Sequence, residues 1–390
     1  MKLASIKDCT GCMGCVNACS HGVLDYSFDK HGYFRIDIAH PEKCVECGLC
    51  TKACPVVSPK VVTNDSHQCY AAWDKDADQR AASASGGVFA ALAAKILEEG
   101  GVVYGAAIEG FEVKHKRIDL IEDLHELQGT KYQLSICNVY SDVRKQLLAG
   151  RKVLFSGMGC QVNALYNYLG RVSTERLLTI DTICGGYSSI LPMEELKKSG
   201  KFSGIYSFRD KSDGWKSKGF KYCLKMKGKN GEVCSLGADN MVTRTFCTHL
   251  FKQSACLKCK FNGVDRNSDL TIGDFWGLER YADEHSRGVS CIVAHSEKGE
   301  KALAESGITL HEAALEEIAR NNANLYWSQY GYLRHSLSRK LALWCLATGK
   351  NNLALRLSAY SGLLSIGWRL YMRFNDRKRE RYLKNILANR

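Results

Sequence analysis

Cys9-Thr-Gly-Cys12-Met-Gly-Cys15-Val-Asn-Ala-Cys19 and Cys44-Val-Glu-Cys47-Gly-Leu-Cys50-Thr-Lys-Ala-Cys54-Pro55 decide how the first part of this 390-residue chain folds. Both runs read C-x2-C-x2-C-x3-C, the spacing of a cubane iron–sulfur ligand set. Three thiolates two residues apart sit on one tight loop and cap three irons. The fourth, opening the next helical turn, points away and serves the other cluster. On that crossing rule Cys9, Cys12, Cys15 and Cys54 hold one 4Fe-4S cluster, and Cys44, Cys47, Cys50 and Cys19 hold a second. Structural zinc takes two C-x2-C pairs per site, and two complete four-cysteine runs suit it poorly. Ser20 follows the first run where Pro55 follows the second, a change in the turn more than in ligation.

Between the runs, Val23 to Ile38 alternates apolar and polar residues on both sides of His31-Gly32, which predicts a hairpin. Residues 1–58 therefore read as an α+β, ferredoxin-like two-cluster module with a pseudo-twofold repeat. Pro55 and Pro59 close it, and Thr63 to Ser66 reads as a linker.

A different composition follows. Cys69 to Trp73 predicts a strand, Ala81 to Gly87 a small-residue loop, Val88 to Leu97 a helix and Val102 to Ile108 a buried strand. The rhythm recurs at Lys152 to Phe155, before a helix from Gln161 to Leu169, and at Leu177 to Ile183. Alternating strands and helices predict an α/β core over residues 67–330, with the site in loops at strand ends. Phe220 to Met226 alternates as a strand would, and Lys229 to Glu232 reads as a turn. Asp269 to Gly277 and Val289 to Ala294 are further strand candidates, and from about Ala302 the pattern is helical.

Composition sets the surroundings. Hydrophobic content of 45% and charged content of 24% suit a soluble globular protein. Nineteen cysteines would suggest disulfides in a small secreted chain, but eight stand in cluster spacing. Met1 to Asp8 lacks the apolar core of a secretory signal, so a reducing cytoplasm is the expected setting. The net charge of +13 is uneven: residues 334–390 hold thirteen lysines and arginines against two acidic residues. That basic helical tail, residues 331–390, includes an uncharged run from Leu357 to Trp368, too short to span a bilayer. It reads either as a terminal helix pair packed on the core or as an amphipathic surface for anionic lipid or an acidic partner. No nucleic-acid recognition motif accompanies it.

Six motifs stand in order along the chain: Ser83-Ala-Ser-Gly-Gly87, Gly129-Thr-Lys-Tyr132, Gly157-Met-Gly-Cys-Gln161, Phe208-Arg-Asp-Lys211 with Gly214-Trp215, Cys256-x2-Cys259-Lys-Phe261, and Gly273-Asp-Phe-Trp-Gly277. Together they resemble the β-subunit family of coenzyme F420 hydrogenases and dehydrogenases, which also includes ferredoxin-dependent chlorophyll-pathway reductases. The resemblance implies an iron–sulfur flavoenzyme with FAD in the α/β core. Electrons would come from reduced ferredoxin, or from reduced coenzyme F420, and pass through the clusters and FAD to a small molecule. Bacterial members near surface-polysaccharide enzymes suggest a sugar-linked substrate. The rival is a non-catalytic electron-transfer subunit of a larger redox complex. The chain departs from the family where Gly159 replaces a proline and where Cys184-Gly-Gly-Tyr-Ser-Ser189 lacks the histidine of the usual Cys-His-Gly.

The candidate flavin residues are Ser85, Gly86, Gly87, Lys131, Tyr132, Gly157, Gly159 and Gln161. Gly86 and Gly87 before a helix offer backbone N–H groups to a pyrophosphate. Lys131 offers charge to a reduced flavin or a phosphate, and Tyr132 a ring or a proton. Gly157-Met-Gly159 lacks the third glycine of a dinucleotide fingerprint and reads instead as a close approach to the flavin ring or to a cluster. Cys160, Cys184, Cys256 and Cys259 could complete a third cubane, only the last two having ligand spacing; packing is the alternative. Arg209, Asp210 and Lys211 read as a surface ion cluster, and Asp274-Phe-Trp276 as either a flavin wall or aromatic core. Cys69, Cys137, Cys223, Cys234, Cys247, Cys291 and Cys345 read as packing residues.

Overall fold

The computed structural model describes residues 2–359, except 6, 61, 63, 65–66, 210, 212–213, 216–223, 238–239, 277–278, 285 and 326–330, together with residue 381. In the amino-terminal module both cysteine loops take one backbone shape. The residue before the second cysteine and the residue after it are left-handed, at Gly11 and Met13 in the first loop and at Glu46 and Gly48 in the second. Each loop then opens a short helix, Gly14–Asn17 and Leu49–Ala53. The predicted hairpin is present as β1 (Leu24–Phe28) and β2 (Phe34–Ile38), paired Leu24 with Ile38 through Phe28 with Phe34. Its inner face stacks Tyr26 on Phe34 with ring centroids 5.4 Å apart.

The strands that follow are β3 (Gln68–Trp73), β4 (Val102–Glu109), β5 (Glu112–Ile118), β6 (Ser135–Ile136), β7 (Val153–Met158), β8 (Leu177–Thr182), β9 (Phe202–Ser207), β10 (Lys225–Gly228), β11 (Val233–Ser235), β12 (Leu270–Asp274), β13 (Ser290–Ala294) and β14 (Thr309–Glu312). Nine of them form one mixed sheet in the order β14-β3-β13-β12-β8-β7-β4-β5-β6. Its middle, β12, β8, β7 and β4, is parallel. Val153, Leu154, Phe155, Leu177 and Ile180 are buried there, as strands covered on both faces require. β13 runs antiparallel to β12, so the start of β13 lies at the same end of the sheet as the carboxyl ends of β7, β8 and β12. The outermost strands are β14 and β6, and β14 falls where the sequence predicts helix only.

β9, β10 and β11 make a separate antiparallel sheet. Of the strand predicted over 220–226, residues 220–223 lie outside the described residues, as do parts of the predicted 63–66 linker, Asp210, Gly277, Cys223 and most of 360–390. The described part of the tail is no free appendage. Helix Leu337–Ala347 buries Ala342, Leu343, Cys345 and Leu346 against Tyr33, Leu250, Phe251 and Leu257. Among the described residues no helix is long and apolar enough to cross a membrane.

The module meets the core where helices Gly14–Asn17 and Leu49–Ala53 pack on helix Gly159–Leu169. Gly14 is the contact point: a Cβ there would stand 2.7 Å from the Ala53 carbonyl oxygen and 3.1 Å from the Ala164 Cβ. Gly14→Val is expected to cost roughly 1–3 kcal/mol by overpacking and to loosen the module from the core. Limited proteolysis checks this: faster cleavage between residues 55 and 67 than in the parent is the expected outcome, and unchanged cleavage contradicts it.

Candidate redox site

Three groups of cysteines and a strand-end cleft lie among the described residues. A cavity in the module is lined by Cys9, Cys12, Cys15 and Cys54 together with Met13, Ile36 and Ile38. A second is lined by Cys19, Cys44, Cys47 and Cys50. The cavities thus group the cysteines in crossed fashion, each run lending its fourth member to the other. Burial pushes the Cys12 thiol up to about 12, with Cys9 and Cys54 as like-charged neighbours adding to the shift. Such thiols give up their protons when a metal takes the proton's place. Backbone N–H groups already face sulfur here, as where Val23 N–H lies 3.4 Å from Cys19 Sγ. Among the described residues no three His, Cys, Asp or Glu side chains converge as ligands of a single ion would. A cubane makes a different demand, taking each thiolate at a separate iron corner.

The third group is Cys160, Cys184, Cys256 and Cys259. Cys160 begins the helix after β7, Cys184 lies just past the end of β8, and the C-x2-C pair lies on the segment leading into β12. Burial raises all four thiols, Cys259 to about 11. After burial, the neighbours that raise Cys160 are Cys12, Cys259, Cys184 and Cys256. Cys160 and Cys12 lie in one buried cluster with Cys256 packed against it, so the group adjoins the first module cavity through Cys12. Gly186, at φ +84°, faces Cys256: a Cβ on it would lie 2.6 Å from the Cys256 Cβ. Gly186 N–H lies 3.2 Å from Cys184 Sγ, and Phe261 N–H lies 3.4 Å from Cys259 Sγ.

Tight polar bonds hold the first and third groups together. Gln253 Nε2 donates to the carbonyls of Cys9 and Phe34, each at 3.2 Å. The Tyr140 hydroxyl donates to Cys12 O at 2.7 Å and to Gln161 O at 3.1 Å. On the far side, Arg266 pairs with Asp181 at 3.0 Å, both buried, and Asp181 also accepts from Thr271 Oγ1 at 2.5 Å.

The cleft occupies the carboxyl end of the parallel strands. Its lining includes Ser85, Gly87, Val88, Gly129, Thr130, Tyr132, Thr182, Ile183, Arg209, Gly273, Asp274 and Ser290. At about 270 Å³ it falls at the small end of ligand clefts. Ile183 walls it and Cys184 is the next residue, so the third cysteine group and the cleft share one backbone turn.

The expected flavin residues divide. Ser85, Gly87 and Tyr132 line the cleft. Gly87, at φ +93°, caps helix Val88–Glu98 and leaves its start open to the cleft. Gly86 does not offer a bare N–H: its N–H donates to Ser290 Oγ at 2.9 Å, and a Cβ there would meet the Ala72 carbonyl oxygen at 2.3 Å. Its role is close packing of loop against sheet. Lys131 does not line the cleft either. Its Nζ donates to the carbonyls of Leu127 at 2.8 Å and Gln128 at 2.5 Å, the free acceptors at the end of a short helix, and burial lowers it to about 7. Gly157, Gly159 and Gln161 belong beside the third cysteine group. A Cβ on Gly159 would stand 3.1 Å from Asp181 Oδ2, and Gln161 spends its amide on Met158 N–H and Ser135.

Sequence reasoning missed Arg209. A surface ion cluster was the expectation for 209–211, yet the Arg209 side chain is buried, 3.4 Å from Asp274 Oδ2 and donating to Trp215 O at 3.0 Å. Burial raises the Asp274 carboxyl and Arg209 opposes that rise. Lys211 donates to the Ser83 carbonyl and closes the same wall, and burial lowers it to about 8. The Phe-Arg-Asp-Lys and Gly-Asp-Phe-Trp segments meet only through the fold, so neither alone signalled the pair. Trp276 stacks on Trp215 at 4.9 Å, an aromatic contact behind the cleft. Cys69, Cys137, Cys291 and Cys345 are buried as expected of packing residues, whereas Cys247 is exposed.

A two-site cysteine module backed on a mixed α/β core with a strand-end cleft is the build of an iron–sulfur redox protein. Residues 8–57 match the 4Fe-4S dicluster domain. Residues 150–317 match the model of the C terminus of the Coenzyme F420 hydrogenase/dehydrogenase beta subunit. Ferredoxin-3 from Nostoc sp. is 33% identical over 60 residues, which cover 12% of this chain and 62% of Ferredoxin-3, less than two thirds of its length. Among solved structures, a chain of the xenon-derivatized F420-reducing nickel–iron hydrogenase complex from Methanosarcina barkeri is 16% identical, with a TM-score of 0.46 over 73% of this chain and 95% of that one.

Proposed function

We propose that this chain is an iron–sulfur flavoprotein that takes electrons from a small redox protein and delivers them to a small molecule at the strand-end cleft. The observation that carries the reading is the unbroken series of three cysteine groups ending at the cleft wall. Cys12 links the first group to the third, and Cys184 links the third to the cleft. Cys9, Cys12, Cys15 and Cys54 would hold one cubane, Cys19, Cys44, Cys47 and Cys50 a second, and Cys160, Cys184, Cys256 and Cys259 a third. Cubanes exchange single electrons, and FAD converts these to the two-electron change of an organic substrate.

The chain's own residues suit these tasks. Cys47 is exposed between exposed Val45 and Leu49, apolar residues on which a ferredoxin-like donor can seat. In the third group Cys160 is buried and Cys184, Cys256 and Cys259 are half-buried, which limits water at their sulfurs. At the cleft, the start of helix Val88–Glu98 favours a phosphate and Tyr132 offers a ring face. Asp274 holds a proton more readily than an ordinary carboxyl, within reach of Arg209. Gln128, Thr130 and Ser83 give the rim the hydroxyl and amide groups that a sugar-linked substrate would use. Coenzyme F420 is the other electron donor that the match over residues 150–317 supports. That match also supports a second reading, an electron-transfer subunit working within a larger assembly.

Anaerobic mixing of the purified chain with a reduced ferredoxin tests the proposal. The brown cluster absorbance is expected to bleach first and the yellow flavin band after it. A chain that bleaches without any flavin change contradicts the flavoprotein reading. Flavin reduction without turnover of any added acceptor favours the subunit.

A further inference from the structure

The third cysteine group has a cation built into it. Lys252 is 2% exposed and its Nζ donates to the Gly185 carbonyl, inside the turn that follows Cys184. A Cβ on Gly186 would lie 3.3 Å from Cys256 Sγ and 3.6 Å from Lys252 Cδ, so the lysine stem runs alongside the cysteine. The Cys184, Cys256 and Cys247 thiols stand near enough to act on its charge, and the Phe246 ring centroid lies 5.5 Å from its Nζ. Arg339 fixes the backbone beneath, donating to Lys252 O at 2.7 Å. Arg266 also approaches Cys184 and Cys259, but its charge is balanced by Asp181 at 3.0 Å. A buried ammonium is costly unless anions face it, and thiolates that ligate a cluster supply such charge.

We infer that Lys252 is the fixed countercharge of the site formed by Cys160, Cys184, Cys256 and Cys259, and that it raises the reduction potential of the cluster held there. The inference rests on the reading of these four cysteines as ligands. Reducing a cubane adds one negative charge, and a cation held beside it in a poorly screened interior stabilises the reduced form. A higher potential at the third cluster favours electron transfer from the module toward the cleft.

The test is an anaerobic redox titration followed by electron paramagnetic resonance, with iron counted, on the parent, Lys252→Met and Lys252→Arg. Lys252→Met keeps the stem and removes the charge. It is expected to shift one cluster signal to more negative potential by at least tenfold in the reduction equilibrium, about 59 mV for one electron. Lys252→Arg should stay near the parent, and the module signals should not move. If Lys252→Met loses the third cluster while Lys252→Arg keeps it, the charge is needed for assembly and the inference stands. An unmoved potential in Lys252→Met, or loss of the cluster in both variants, overturns it. A parent with only about eight irons and no third signal instead removes the reading beneath it.

Discussion

Cys256→Ala is expected to lower bound iron from about twelve to about eight atoms per chain while leaving flavin in place. The substitution isolates the sulfur. Gly186 packs against the Cys256 Cβ, which alanine retains, so the surrounding turn keeps its contact. Cys9, Cys12, Cys15 and Cys54 still line their cavity, and so do Cys19, Cys44, Cys47 and Cys50. The variant should therefore accept electrons from a one-electron donor into its module clusters but fail to pass them to the flavin. A chemical two-electron reductant reaching the cleft directly should still bleach the flavin. Iron analysis with stopped-flow absorbance checks this, and an unchanged iron content in Cys256→Ala would falsify the assignment of Cys256 as a ligand.

Asp181→Ala is expected to cost about 3–5 kcal/mol, the usual consequence of leaving one member of a buried ion pair without its partner. Asp181 and Arg266 are both almost fully buried, so the substitution leaves the Arg266 guanidinium without its carboxylate away from bulk water. Arg266 also donates to the carbonyl of Gly263 at 2.9 Å and to that of Leu325 at 3.3 Å. It thereby ties the segment after Cys259 to the end of β8 before Cys184. Weakening it should lower the occupancy of the third site as well as global stability. Chemical denaturation checks the first effect and iron content the second. Asp181→Leu combined with Arg266→Met should recover much of the stability, since a buried apolar pair carries no desolvation cost. A single variant as stable as the parent would contradict the buried-pair account.

Much of this architecture was legible because its signals are local. The spacing of Cys9 to Cys19 and of Cys44 to Cys54 encodes two loops, and the structure repeats one backbone shape in both. The hairpin at His31-Gly32 and the buried strands near Val102, Val153 and Leu177 are written as alternation or as apolar runs. What stayed hidden depends on distant segments meeting. Whether Gly86 offers its N–H depends on Ser290, far along the chain. Lys131 finds carbonyls at a helix end because a short helix stops just before it. Arg209 and Asp274 come from separate motifs, and only the strand-end side of the sheet joins them. β13 was legible as a strand over Val289 to Ala294 but not in its direction, and β14, Thr-Leu-His-Glu, lacks the apolar run that marks a strand.

The tail shows the same limit. Its composition left open a helix pair packed on the core and an amphipathic surface, and the described helix packs inward, with Arg339 buried and donating to Lys252 O and to the Tyr33 hydroxyl at 3.2 Å. Composition counts charges, but it cannot say which of them reach inward.

Iron, acid-labile sulfide and flavin counted per chain on anaerobically purified protein test the central claim most directly. The expected result is about twelve irons, an equal amount of sulfide and about one FAD. Material with four irons or fewer, or with no bound flavin, would contradict the account.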